Sequence, residues 1–263
     1  MKIVMIGAGN LATNLALALQ HSKHNVLQVY SRTKGSAGVL AKRLNCAYTT
    51  DLAAVTTVAD IYVFSVKDTA LEQLATDLCP RLPGKVFVHT AGSMPLSVFS
   101  SIADYYGVLY PMQTFSKGRE LDFSTIPCFL EASDKKTLET LSAVAHSFTT
   151  NIVVMDSIHR RFMHLAAVWA CNFVNHCYDV ASELLKHQGL DFKLLLPLID
   201  ETAKKVHQLS PRQAQTGPAV RFDKNVIKMH ESLMSEMPLQ QGLYRKLSES
   251  IHTLTTNTPN DKL

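Results

Sequence analysis

Lys2-Ile3-Val4-Met5-Ile6-Gly7-Ala8-Gly9-Asn10-Leu11-Ala12 opens the chain, and the later run Val26-Leu27-Gln28-Val29-Tyr30 ends in Ser31-Arg32-Thr33. The first stretch reads as a short apolar strand, a glycine turn and the start of an amphipathic helix. Gly7 permits a tight turn, Gly9 lets backbone approach a diphosphate, and Ala12 is small enough for close helix–strand packing where a third glycine commonly stands. The helix that begins near Asn10, with Leu11 in its first turn, aims unpaired N–H groups at such an anion. The order strand, glycine turn, helix, strand predicts a dinucleotide site.

The end of the second strand decides which dinucleotide. About 20 residues beyond the glycines, an NAD-preferring site carries an acid for the ribose 2′-hydroxyl. This chain has Ser31, Arg32, Thr33 and Lys34 instead. A guanidinium suits a 2′-phosphate through its charge and paired donors, so NADP is the predicted cofactor. The competing reading of Arg32 is a solvated surface arginine after a strand. FAD or S-adenosylmethionine in the cradle would leave Arg32 without a purpose.

With 263 residues, 46% of them hydrophobic, the chain can bury a substantial core and is a little long for one average domain. A net charge of +4 without a dense Lys/Arg block argues against nucleic acid as the main partner. No apolar run approaches membrane-spanning length, and an opening core strand predicts no signal peptide and no membrane attachment. The five cysteines are scattered without CxxC spacing, which fits reduced thiols in a cytoplasm.

Strand and helix patterns alternate to about residue 155. Strands are predicted at 60–66, 85–89, 106–110, 128–131 and 152–155, and helices at 36–44, 68–79 and 135–147, with Asp68 as a cap. The alternation implies a doubly wound, mostly parallel sheet. From 156 onward the pattern is helical. Residues 157–188 contain no glycine or proline and carry apolar residues at helical spacing up to Gly189, which predicts one long helix. Further helices are expected at 192–208, 225–234 and 239–254, followed by a frayed polar tail at 255–263. The domains are thus 1–155, α/β, and 156–254, all-α. A helix of that length, apolar on more than one face, has more surface than three shorter helices cover, so a homodimer through the helical domain is expected.

The pieces Gly7 to Ala12, Ser65-Val66-Lys67-Asp68, His89-Thr90-Ala91-Gly92-Ser93, Tyr110-Pro111-Met112-Gln113-Thr114-Phe115, His164 with Asn172, and Thr216 to Asp223 with His230 span nearly the whole chain. Their order resembles the superfamily of 6-phosphogluconate dehydrogenase, ketopantoate reductase, pyrroline-5-carboxylate reductase and F420-dependent NADP oxidoreductases. More closely it resembles the branch in which a Rossmann-like domain precedes a DUF2520 domain. The resemblance implies a Rossmann-type NADP-binding fold and a helical dimer domain.

In an open parallel sheet ligands lie beyond the carboxyl ends of the strands. Ser65, Val66 and Lys67 are there expected to line the nicotinamide-side ribose, with His89, Thr90 and Ser93 edging the place of hydride exchange. The alternative for His89 is a satisfied histidine at a strand end, and for 110–115 a plain proline turn. At roughly 100° per residue His164 and Asn172 fall about 80° apart, so both can face one cleft mouth. The competing reading of His164 is a histidine bonded to backbone. Related reductases often place a lysine and an asparagine on this helix; the lysine is absent here. Arg221 can bind a substrate carboxylate or phosphate, or pair with Asp223, and His230 follows on the next helix. The expected activity is an NADP-dependent oxidoreductase acting on a small polar C=O or C=N compound, with His164 exchanging the proton and Asn172 holding the heteroatom. The alternative is a non-catalytic NADP sensor or scaffold, and no metal site is expected.

Overall fold

The computed structural model describes residues 1–256. By contact density the chain falls into two compact units, Met1–Asn172 and the residues from Phe173 onward. In the first unit β1 (Lys2–Ile6), β2 (Asn25–Tyr30), β3 (Ala47–Thr49), β4 (Ile61–Phe64), β5 (Val86–His89), β6 (Tyr105–Pro111), β7 (Cys128–Ala132) and β8 (Ile152–Val154) form one sheet. Its order is β3-β2-β1-β4-β5-β6-β7-β8. The strands on either side of β1 run parallel to it, and the crossovers are α1 (Asn10–His21), α2 (Lys34–Leu44) and α3 (Asp68–Leu78), with α4 (Lys135–His146) between β7 and β8.

Burial explains why these residues make these elements. Ile3, Val4, Met5 and Ile6 are all buried, as are all of Ile61 to Phe64, which is what a parallel strand covered on both faces requires. Ile3 and Met5 pack with Leu15 and Leu19 of α1 on one face, whereas Val4 and Ile6 join Tyr62, Phe64, Phe87 and Phe99 on the other. Among the described residues the one antiparallel pairing is β6 with β7. The connection between them contains no helix, so the parallel crossover that the other strands use is not available there. Strand β3, three residues at the sheet edge, is an element that the sequence pattern did not mark.

The expected single helix over 157–188 is interrupted. The segment α5 (Ser157–Ala167) runs into a π-helical stretch, Val168–Phe173, before α6 (Val174–His187) resumes. A π turn closes i→i+5 bonds, so an inserted residue shifts the helical phase without leaving a Gly or Pro signal in the sequence. The second unit then holds α7 (Leu196–Lys205), α8 (Pro211–Ala214), α9 (Lys224–Leu233) and α10 (Pro238–Thr256). Helices α9 and α10 are tied by a two-pronged Glu231–Arg245 contact at 3.0 and 3.1 Å. Thr255 and Thr256, expected in a frayed tail, are part of α10; the rest of that tail, 257–263, lies outside the described residues. No helix among the described residues is long and apolar enough to cross a membrane.

Candidate functional site

The carboxyl ends of β1, β2 and β4 meet at the glycine turn. Gly7 sits at φ +125°, and a β-carbon there would stand 2.1 Å from the Ser65 backbone oxygen, so only glycine fits. Its N–H donates to the Tyr30 carbonyl at 2.8 Å, while the Ser65 N–H donates to Ile6 at 2.8 Å. Gly9 is the opposite case: a β-carbon on it would meet nothing within 4 Å, so the space before α1 is open. Asn10 is exposed, Leu11 partly so, and Ala12 is buried beneath them against the sheet.

The two helices that follow β1 and β2 lack caps. Helix α1 begins after Gly9 and α2 after Thr33, each without a side-chain cap bond and without an acid in its first turn. In the same unit α4 and α5 are capped by Asp134 and Asp156. Ser31 is partly exposed and Arg32 and Thr33 fully so, and among the described residues Arg32 forms neither an ion pair nor a hydrogen bond. Two open helix N-termini, one backed by a free guanidinium, fit a molecule with a diphosphate and a separate phosphate.

Beyond β4 and β5 the structure builds a braced turn. His89 is fully buried. Its Nδ1 accepts from the Ala91 N–H at 3.2 Å and its Nε2–H donates to the Pro95 carbonyl at 3.3 Å. Burial, and then the nearby Arg160 charge, push its pKa down to about 3, so the ring is neutral. With no exposed surface, His89 reaches any ligand only through the turn it holds. Asp68, expected to cap α3, is instead that helix's first residue, and its carboxylate accepts from the Ser93 hydroxyl. The cap position belongs to Lys67, which like Val66 lies at the outer end of β4.

The start of α5 is bolted onto this turn. Arg160 is fully buried and pairs with Glu131 of β7 through Nη1, while its Nη2 donates to the Met94 carbonyl at 2.6 Å. The Ser157 hydroxyl donates to Glu131 at 2.8 Å and accepts from the Leu96 N–H at 2.9 Å. Arg161 Nε donates to the Ser93 carbonyl at 3.0 Å. One turn further along, His164 Nδ1 lies 3.0 Å from the hydroxyl of Tyr110, at the end of β6. Tyr110 is buried, which pushes its phenol pKa up and keeps it protonated. Gly92 makes the room: a β-carbon on it would come within 2.7 Å of His164 Nδ1 and 2.9 Å of Tyr110 Cζ.

The structure thus brings His89, Ser93, Tyr110 and His164 together around one turn. Asn172 lies exposed on the π-helical stretch, so the 100° per residue that put it about 80° from His164 does not carry across to it. In the second unit Arg221 is exposed and, among the described residues, pairs with no acid; Asp223 caps α9 through the Val226 N–H. His230 is bonded to Tyr244 through Nδ1 at 2.8 Å. Sequence reading missed Gly92, Glu131 and Arg160 as parts of the site. Among the described residues no cluster of three or more His, Cys, Asp or Glu is placed to hold a metal.

Residues 2–92 match the family described as NADP oxidoreductase coenzyme F420-dependent, and residues 126–251 match a domain of unknown function, DUF2520. Among curated proteins nothing matches the chain. A Bacteroides fragilis protein, named in its crystal structure as a candidate NADP oxidoreductase, is 50% identical, with a TM-score of 0.93 over 96% of this chain and 98% of that one. A Thermotoga maritima protein shares the fold at 20% identity and a TM-score of 0.78, covering 97% of this chain and all of that one (100%). So does an Aspergillus terreus reductive aminase, solved with NADPH and ethyl levulinate, at 15% identity and a TM-score of 0.72 over 97% of this chain and 93% of that one. On this likeness the chain belongs to the NADP oxidoreductase family, with a DUF2520 domain behind its nucleotide-binding module.

Proposed function

We propose that the protein is an NADP-dependent oxidoreductase that moves a hydride between the nicotinamide and a small polar molecule carrying a C=O or C=N group. The observation that carries the cofactor half of this reading is the pair of uncapped helix N-termini beside the free Arg32 guanidinium. Gly7, Gly9, Asn10, Leu11 and Ala12 cradle the diphosphate; Ser31, Arg32 and Thr33 take the 2′-phosphate. Ser65, Val66 and Lys67 line the nicotinamide-side ribose, with His89 acting through its turn. NADPH, when bound, supplies the hydride.

The chain's own contribution to the chemistry is positioning and proton exchange. His164 exchanges the proton and Asn172 holds the substrate heteroatom. Ser93 contacts the substrate, Arg221 binds an anionic group on it, and His230 contributes a further polar contact. Same-fold proteins named for imine reduction and reductive amination support the C=N or C=O class. The protein acts in the cytoplasm as a homodimer through its helical domain, on small molecules rather than nucleic acid or membrane.

The test is a fluorescence titration with NADPH and NADH, followed by NADPH oxidation across 2-oxo acids, keto esters such as ethyl levulinate, cyclic imines and deazaflavin F420. NADPH is expected to bind at least about tenfold more tightly than NADH, the size of one charged contact. Indifference to both nucleotides at millimolar levels would remove the enzymatic reading. Tight NADPH binding without any turnover would turn it into a sensor.

A further inference from the structure

His164 is the group on which proton exchange rests in the reading above, and an imidazole can exchange a proton at either nitrogen. Its Nδ1 is already engaged by the Tyr110 hydroxyl at 3.0 Å, with the rings edge-on at 6.0 Å between centroids. Within the first compact unit its Nε2 has no hydrogen-bond partner among the described residues. The Tyr110 hydroxyl, in turn, has no hydrogen-bond partner but His164 among the described residues, and its ring lies 6.0 Å from that of Phe129 between centroids. On the far side Gly92 closes on both groups, leaving no space even for a methyl.

We infer that Tyr110 is a positioning residue: it holds His164 by Nδ1, so that Nε2 is the nitrogen that exchanges a proton with the substrate heteroatom, and Gly92 is glycine because this pairing fills its side-chain space. The inference rests on the proposed role of His164. The step balances as a simple proton transfer. In the doubly protonated ring, Nδ1–H donates to the phenolic oxygen; the Nε2–H bond breaks, a bond from hydrogen to the heteroatom forms, and the neutral imidazole keeps Nδ1–H on Tyr110. A ring anchored at one nitrogen presents the other in a fixed direction, and it does so whichever way the reaction runs.

Tyr110→Phe and Gly92→Ala attack the same contact from opposite sides, and nuclear magnetic resonance of the full-length protein labelled with 15N-histidine reads it directly. In the wild type at low pH, the His164 Nδ1 proton is expected as a resolved downfield resonance, assigned by its loss in His164→Gln. Both variants are expected to lose that resonance through solvent exchange while keeping the wild-type far-ultraviolet circular dichroism and a cooperative melt, which shows that they are folded. With the panel compound that the wild type turns over, kcat should fall about tenfold to a hundredfold in both variants with KM unchanged, a part of the general acid–base contribution. A resonance unaffected by Tyr110→Phe overturns the pairing whatever the turnover. A lost resonance with full turnover overturns its catalytic use. Full turnover in His164→Gln with the resonance pattern as expected overturns the proposal through its premise, and is distinguishable because the pairing itself is then seen intact.

Discussion

An arginine at the end of a strand is ordinarily a solvated charge, and what changes that reading at Arg32 is its setting. It stands two residues before the uncapped start of α2, at the same end of the sheet as the open turn at Gly9. If it binds a phosphate, its removal costs the charge-assisted contact, about 1.5–3 kcal/mol, or roughly tenfold to a hundredfold in affinity. Arg32→Ala should therefore weaken NADPH by that factor and leave NADH unchanged; equal weakening of both would assign Arg32 to the fold. Gly7 and Arg32 were legible because each lies within a short local motif. Arg160 was not: its partners Glu131 and Met94 are 29 and 66 residues away, and nothing around an arginine in the first turn of a helix marks it as buried. Tyr110 was visible only as part of a proline turn, because its pairing with His164 spans 54 residues.

Elements with a strong period were read closely, and the structure departs from the reading where an element is set by long-range contacts. The parallel strands announce themselves as buried apolar runs, whereas β3 pairs over three residues and leaves almost no pattern. The π-helical stretch between α5 and α6 is invisible to a 3.6-residue template because it keeps the helical composition and changes only the phase. The turn after β5, to which α5 is bonded, is the element whose physics the sequence concealed most. His89 is held neutral in it by burial and by the adjacent Arg160, which lowers its pKa from 6.5 to about 3. The unfolded chain takes up this proton below pH 6.5 and the folded chain does not, so the stabilisation is full above 6.5 and is lost as pH falls toward 3. One proton corresponds to about 1.4 kcal/mol per pH unit within that window. His24, also lowered by burial, contributes in the same range, so the quantity to measure is the difference between wild type and His89→Gln. Urea unfolding at a series of pH values between 6.5 and 4.5 should show a shallower slope in the variant. Equal slopes would mean that His89 is charged in the folded turn.

At the scale of the whole chain the question is where the helical half finds its core. Among the described residues beyond 172, only Ala219, Met234 and Ser248 are buried, whereas Leu194, Leu198, Leu233 and Leu239 are 68%, 64%, 74% and 70% exposed. Phe162, on α5, is 69% exposed as well. A unit of this size normally buries well over half of its unfolded surface, and large apolar side chains left exposed in such number are what an interface would cover. The pattern was legible in the sequence as an excess of apolar faces on too few helices, and the structure sharpens it: α6, α7 and α9 contain no buried residue at all. In the proposed homodimer a second copy supplies equally long apolar helices in equal number, and two-fold pairing would let each copy cover the other's same faces. Light scattering at micromolar concentration should therefore give twice the chain mass of 29.1 kDa. If dimerisation couples to folding as proposed, the melting temperature should rise with protein concentration. Leu198→Glu combined with Leu233→Glu places charges on the exposed faces of α7 and α9 without touching any buried side chain, so it should shift the mass toward the monomer and lower the melting temperature. A wild-type monomer whose melting temperature is independent of concentration would show that these faces are not joined to one another.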